Sequence, residues 1–137
     1  MNESLAEKIR AANETLIVDG DLDAVEKYFT PDYIAHITDR DMKSGHSTIQ
    51  DTIGKLRRSF PDIQVDVEIL LEGESRISWQ RTMRGSLKNA YQGFPASGLT
   101  AVWRDMVTSQ FRDGFIAEEW VLTDLAERLL LSRKTKK

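Results

Sequence analysis

The hydrophobic period changes at Pro61, and that change limits the possible folds more than any other feature of the chain. Before it, apolar residues recur at helical spacing. Leu5, Ile9, Ala12 and Leu16 form a stripe that Gly20 stops. Asp21 is placed to cap a short helix with the face Leu22, Val25, Tyr28 and Phe29. After Pro31, DYIAHI (32–37) reads as a short strand, followed by a polar, Gly-containing loop. Ser47 and Gln50 have capping-box spacing at the start of a third helix with the stripe Ile49, Ile53, Leu56 and Phe60, and Pro61 ends it. Beyond Pro61, Ile63, Val65, Val67, Ile69 and Leu71 alternate with Gln64, Asp66 and Glu68, the pattern of a half-buried strand. EGES (72–75) turns into a second strand from Arg76 to about Leu87, and KNAYQGFPASG (88–98) is a loop. Thr100–Arg112 and Phe115–Thr123 form a hairpin about Asp113-Gly114, and a Leu-rich helix spans Leu125–Leu131. Helices followed by long antiparallel strands and a terminal helix predict an α+β fold, with helices packed on one face of a curved sheet.

No repeat, low-complexity tract or linker divides the 137 residues, which predicts a single domain over 1–137 with frayed ends at 1–3 and 133–137. A net charge of −3 leaves no electrostatic footprint for nucleic acid. Cysteine is absent, which excludes disulfides, thiol chemistry and thiolate metal sites. No apolar run approaches membrane-spanning length, and MNESLAEK is too acidic for a secretory signal, so a cytoplasmic location is expected.

The segment FRDGFIAEEWVLTD (111–124) holds the chemistry-bearing residues. Strict alternation places Ile116, Glu118, Trp120 and Leu122 on one face, with Asp124 following on the same side. Both glutamates are expected at the rim or in solvent. Asp124 sits where the strand meets the helix, either as its cap or as an acid beside Trp120 whose apolar surroundings raise its pKa. Gln110 shares the face of Asp124 only if the hairpin is bulged. Arg81 lies on the apolar face of Ile77, Trp79 and Met83, and Arg104 on that of Val102 and Met106. Each needs a carboxylate partner or a bound anion, and a salt bridge between neighbouring strands or across a dimer is the favoured account. His36 and His46, with Asp39 and Asp41 between them, match no standard metal spacing.

The order of elements and three local motifs resemble the nuclear-transport-factor-2-like superfamily, and within it the SnoaL-like polyketide cyclases. These motifs are SFPDIQVDVEILLEGESRISW (59–79), RGSLKNAYQGFPASGL (84–99) and FRDGFIAEEWVLTDLAERLL (111–130). The resemblance implies a cone-shaped α+β barrel, with a curved, mostly antiparallel sheet wrapped around N-terminal helices and an apolar internal cavity. It also implies an enzyme without metal or organic cofactor, in which an aspartate deprotonates a hydrophobic carbonyl substrate for an aldol-type cyclisation or a related isomerisation. Asp124 matches that aspartate, His36 matches a family position at the end of the first strand, and Gln110 stands where the family often has His. Leu87 likewise replaces a frequent His. Trp120, Trp79, Arg81, Phe94 and Tyr33 are the expected substrate contacts.

Two non-catalytic readings share the fold. A small-molecule-binding protein would keep the cavity with Asp124 turned outward or neutralised by a salt bridge. A dimerisation module would fill it, with Trp79, Trp103 and Trp120 as plugs. A homodimer is expected throughout, because Trp103, Val107 and Phe111 occupy one face of their strand and Val102 and Met106 the other.

Overall fold

In the computed structural model, which describes residues 4–38, 40–43 and 45–135 and the side chains of all these except Arg40 and 133–135, the helices come first. Helix α1 (Leu5–Ala12) begins with a capping box in which Ser4 and Glu7 exchange side-chain and backbone hydrogen bonds. It continues in π-helical geometry over Asn13–Val18, where the Asn13 amide donates to the Ile9 carbonyl at 2.9 Å. Asp21 makes no side-chain cap, and Leu22–Lys27 is a 3₁₀ helix. Tyr28 ends that helix, and Phe29 already belongs to strand β1 (Phe29–Ile37), so β1 starts three residues before the expected strand 32–37. Its pairing shifts between Phe29 and Ile34, which accommodates Pro31, a residue without an N–H to donate.

Arg40–Met42 forms a short strand, β2, inside the stretch expected to be loop, and pairs antiparallel with the end of β1. Helix α2 (Gly45–Ser59) starts before Ser47, and Gln50 donates its amide to the Leu22 carbonyl at 3.1 Å, tying α2 to the 3₁₀ helix. Strands β3 (Gln64–Glu72), β4 (Arg76–Ser86), β5 (Thr100–Arg112) and β6 (Phe115–Thr123) follow, and then helix α3 (Leu125–Thr135). Helix α3 includes residues 133–135, while 1–3 and 136–137 lie outside the described residues.

The strands form one curved, unclosed sheet in the order β2-β1-β6-β5-β4-β3. Only β1 and β6 run parallel, and the other neighbours are antiparallel. Helices cover one face of this sheet. Ile77, Trp79, Val107 and Phe111 pack there with Ile9, Leu16 and Ile49. Met83 and Trp103 pack with Ile17, Phe60 and Leu129 nearer the α3 end. The opposite face carries Val102, Met106, Trp120 and Leu122, all exposed.

The turn of the last hairpin sets which residues reach the covered face. Asp113 (φ 54°) and Gly114 (φ 86°) are both left-handed, as a two-residue turn between twisted strands requires. Arg112 pairs with Phe115 and Phe111 with Ile116, but Gln110 pairs with Glu118, leaving Ala117 as the extra residue of a bulge. Ile116 faces the core, and from Glu118 onward the alternation is reversed relative to strict period two. Glu118, Trp120 and Leu122 are turned outward, and Glu119 inward.

Gly85 lets β4 approach α2, since a Cβ there would lie 2.9 Å from Phe60 Cβ. Gly85→Ala is expected to lower stability by about 1–3 kcal/mol through overpacking. Denaturant unfolding checks this, and a change within error would show that Phe60 yields freely.

Candidate functional site

Interior-facing side chains from five elements meet beneath α1. Glu119 on β6 is buried, 8% exposed, and both of its oxygens accept hydroxyl hydrogen bonds. Tyr33 on β1 donates to Oε1 at 2.6 Å, and Ser109 on β5 donates to Oε2 at 2.5 Å. Trp79 on β4 in turn donates its indole N–H to Ser109 Oγ at 2.9 Å. Beside this chain, Arg81 Nε donates to Asp105 at 2.9 Å and Nη1 to Asn13 Oδ1 at 2.9 Å, while the guanidinium lies 5.3 Å from the Trp79 ring centre. Asp105 keeps its second carboxylate oxygen buried without a partner among the described residues.

Burial pushes the Glu119 carboxyl above the usual glutamate range, against the opposing pull of Ser109, Tyr33 and the Arg81 charge. Burial, followed by the neighbouring Glu119 charge, holds the Tyr33 phenol well above its ordinary value, so Tyr33 stays a neutral donor. Glu119, Arg81 and Asn13 border a half-open void of about 30 Å³ whose remaining wall is apolar, with Ile9, Leu16 and Phe29 among its members. That volume holds a water-sized group, so the roomy cavity expected for a substrate is replaced by a nearly filled interior. Trp79 and Trp103 do most of the filling, each 2% exposed.

The expected site residues do not form one cluster. Trp79, Arg81 and Tyr33 converge in the interior. Trp120, His36 and Gln110 lie on the opposite face of the sheet, Trp120 because of the bulge and the other two by the alternation of their own strands. Phe94 lies apart, on the 88–98 loop beside a second small void that also touches Leu87, Leu99 and Leu129. Gln110 accepts from Arg76 Nε at 2.8 Å and donates to Ser75. His36 bridges two strands, with Nδ1 2.6 Å from Asp41 and Nε2 2.6 Å from Glu118. Neutral imidazole has only one N–H, so two carboxylate partners at this distance require the imidazolium, and these bonds, Glu118 first, raise the His36 pKa. Its ring stacks on Trp120 at 5.3 Å, and the Arg76 guanidinium also lies over that indole, 5.3 Å from its centre.

Asp124 precedes α3, and its carbonyl accepts the Arg128 N–H, as a capping position should. Its side chain is used otherwise. Oδ1 accepts the Arg104 backbone N–H at 2.8 Å and Oδ2 the Arg128 guanidinium at 3.0 Å, while Thr123 Oγ1 takes the Leu125 N–H. Gln110 and Arg104 are six residues apart on β5, on the order of 20 Å, so Gln110 and Asp124 belong to no common site.

Two expectations need correction at residue level. Glu119 was expected at the rim or in solvent, and it is buried, as is Asp105 on the neighbouring strand. His46 was read as exposed, yet it is half-buried with its ring nitrogen 2.9 Å from the Phe29 carbonyl oxygen. The salt bridge anticipated for Arg81 is made with Asp105 on the neighbouring strand. Among the described residues no group of three or more His, Cys, Asp or Glu has metal-binding geometry, and Asp39 lies outside them.

A sequence profile of the SnoaL-like polyketide cyclases matches residues 7–130. The chain belongs to that family. Among solved structures, the candidate hydroxylase AclR of Streptomyces galilaeus is 25% identical with a TM-score of 0.75, covering 98% of this chain and 99% of AclR. IdmH of Streptomyces antibioticus, a candidate polyketide cyclase, is 20% identical with a TM-score of 0.77, covering 95% of this chain and 98% of its own. A SnoaL-like polyketide cyclase of Agrobacterium tumefaciens is 19% identical with a TM-score of 0.78, covering 94% and 99%. No curated protein sequence matches the chain significantly. No helix among the described residues is long and apolar enough to cross a membrane.

Two predictions follow from the outward-facing contacts. Asp124→Ala is expected to cost about 1 kcal/mol or somewhat more in chemical unfolding, because a charged acceptor is removed from the Arg104 N–H; an unchanged midpoint would contradict the assignment. His36 has a raised folded pKa, so its bridge contributes fully below the ordinary histidine pKa, about 6.5, and fades as pH rises through the folded value. The stability gap between wild type and His36→Gln should therefore be widest in mild acid and close on the alkaline side. A gap independent of pH would refute the charged bridge.

Proposed function

We propose that this SnoaL-like chain carries out cofactor-free acid–base chemistry on a hydrophobic carbonyl compound, bound on the helix-covered face of the sheet. The observation that carries this reading is the concentration of buried ionisable groups at one void in an otherwise apolar core. Burying Glu119, Arg81 and the adjoining Asp105 opposes folding unless each is hydrogen-bonded, and a buried carboxyl held above its ordinary range beside a cavity is a common sign of a reactive centre. The substrate class is carried over from the family, and the apolar wall of Ile9, Leu16 and Phe29 suits it.

The water-sized void accepts a carbonyl head group, and a larger body needs the cover over it to shift. That cover is α1 with its π-helical continuation, a geometry that recurs at functional sites. Asp124 serves here as a positioning residue that fixes the corner between β5, β6 and α3, because its carboxylate is paired with the Arg128 guanidinium and the Arg104 N–H and does not border the void.

Titration with 2-naphthol, whose phenolic oxygen resembles that of an enol, tests the proposal through tryptophan fluorescence, since Trp79 borders the void. Saturable binding at one site per chain is expected. Absence of binding up to millimolar concentration would remove the reading.

The second reading, a dimerisation module, is supported by the exposed face. Trp120, Leu122, Met106 and Val102 lie together on β5 and β6, with Met106 opposite Leu122 across the strands. Sedimentation at micromolar concentration should give a dimer mass that Leu122→Lys shifts to the monomer. A wild-type monomer would exclude this interface.

A further inference from the structure

We infer that Glu119 is the proton-transfer group of this chain and that Arg81 Nη2 is the donor facing the substrate oxygen, a pairing that suits an enolisable ketone or β-dicarbonyl compound. This inference rests on the acid–base reading above and specifies its residues.

The two buried carboxyls of the interior differ in their partners. Asp105 faces the Arg81 guanidinium directly, so its charge is permanently matched. Glu119 touches no cation, only the hydroxyls of Tyr33 and Ser109. Those bonds fit the anion, since each oxygen accepts one proton donor and neither hydroxyl needs to turn away. Burial favours the neutral acid. Two opposed influences of this kind bring a carboxyl toward the range in which it both takes and returns a proton. Tyr33 and Ser109 are positioning residues in this scheme, and Trp79 holds Ser109 in place.

Arg81 spends Nε on Asp105 and Nη1 on Asn13, which leaves Nη2 without a protein partner among the described residues. Arg81 and Glu119 both border the void. A carbonyl oxygen in that void would meet a charged donor whose geometry is fixed before the ligand arrives, the arrangement that stabilises a developing oxyanion.

The step balances without a co-reactant. Glu119 carboxylate takes a proton from the carbon next to the carbonyl. The C–H electron pair forms the new C=C bond, and the carbonyl π pair moves onto oxygen beside Arg81 Nη2. Glu119, now the neutral acid, returns its proton to the enolate oxygen, whose lone pair forms the new O–H bond, and the net change is a keto–enol tautomerisation.

The experiment measures 2-naphthol affinity between pH 5 and 8, below the naphthol's own ionisation, in wild type, Glu119→Gln, Tyr33→Phe and Glu118→Gln. A naphthol hydroxyl donating to the Glu119 anion binds more tightly as pH rises through the Glu119 pKa. Glu119→Gln should weaken binding about tenfold or more and flatten its pH profile. Tyr33→Phe should move the midpoint upward, because a donor that favours the anion is lost, and Glu118→Gln on the other face should leave the profile unchanged. Wild-type binding that Glu119→Gln leaves intact, or a profile that follows Glu118, would overturn the assignment while sparing the acid–base reading. Failure of wild type to bind at all would overturn both. If Glu119→Gln does not fold, the wild-type profile and the Tyr33→Phe shift decide, and a flat profile or an unmoved midpoint would count against Glu119.

Discussion

One extra residue in one strand determines what this fold can do. The bulge at Ala117 reverses the alternation of β6, so that of two adjacent glutamates Glu119 is buried and Glu118 is turned outward. Without it, Glu118 and Trp120 would enter the core with Ile116, and Glu119 would face solvent. Both arrangements satisfy the same hydrogen-bonded turn at Asp113-Gly114. The choice is enforced by packing. The inward Glu119 meets Tyr33 and Ser109, and the outward Glu118 finds His36 on the parallel neighbour β1.

The interior and the outer face of β6 then take on different chemistry. Inside, a carboxyl is held by two hydroxyls in an apolar setting, next to a guanidinium already matched by Asp105. Outside, a histidine between two carboxylates carries a full charge and pins the short edge strand β2 to β6. Low dielectric sharpens the first set, because every polar group there must be paired or open to a ligand. Solvent softens the second, whose effect is on local stability and its pH dependence.

Much of the fold was legible in the chain. The period switch at Pro61, the Asp113-Gly114 turn and the limits of β5 and β6 follow directly from residue pattern, and the family resemblance agrees with the profile match over residues 7–130. The site was harder to read because it depends on parity, and a bulge leaves no reliable trace in sequence. Strict alternation carried Ile116, Glu118 and Trp120 together and drew attention to Asp124. The available signal was that Glu119 alternates with Val121 and Thr123 while Ile116 demands burial; both hold only if one residue is extra. Arg81 was identifiable as a buried cation, whereas Asp105 as its partner required knowing the register of β4 against β5. The 3₁₀ helix and the π-helical turn depend on tertiary contacts, Gln50 with Leu22 and Asn13 with Arg81, that no local pattern contains.

Carbon-detected NMR of the glutamate side-chain carboxyls measures the consequence of the bulge directly. Glu119 should titrate with a midpoint above the ordinary glutamate value of about 4.3, and the resonance should vanish in Glu119→Gln. A Glu119 midpoint at or below that value would mean that burial does not raise this carboxyl, and the interior proton-transfer site would have no basis.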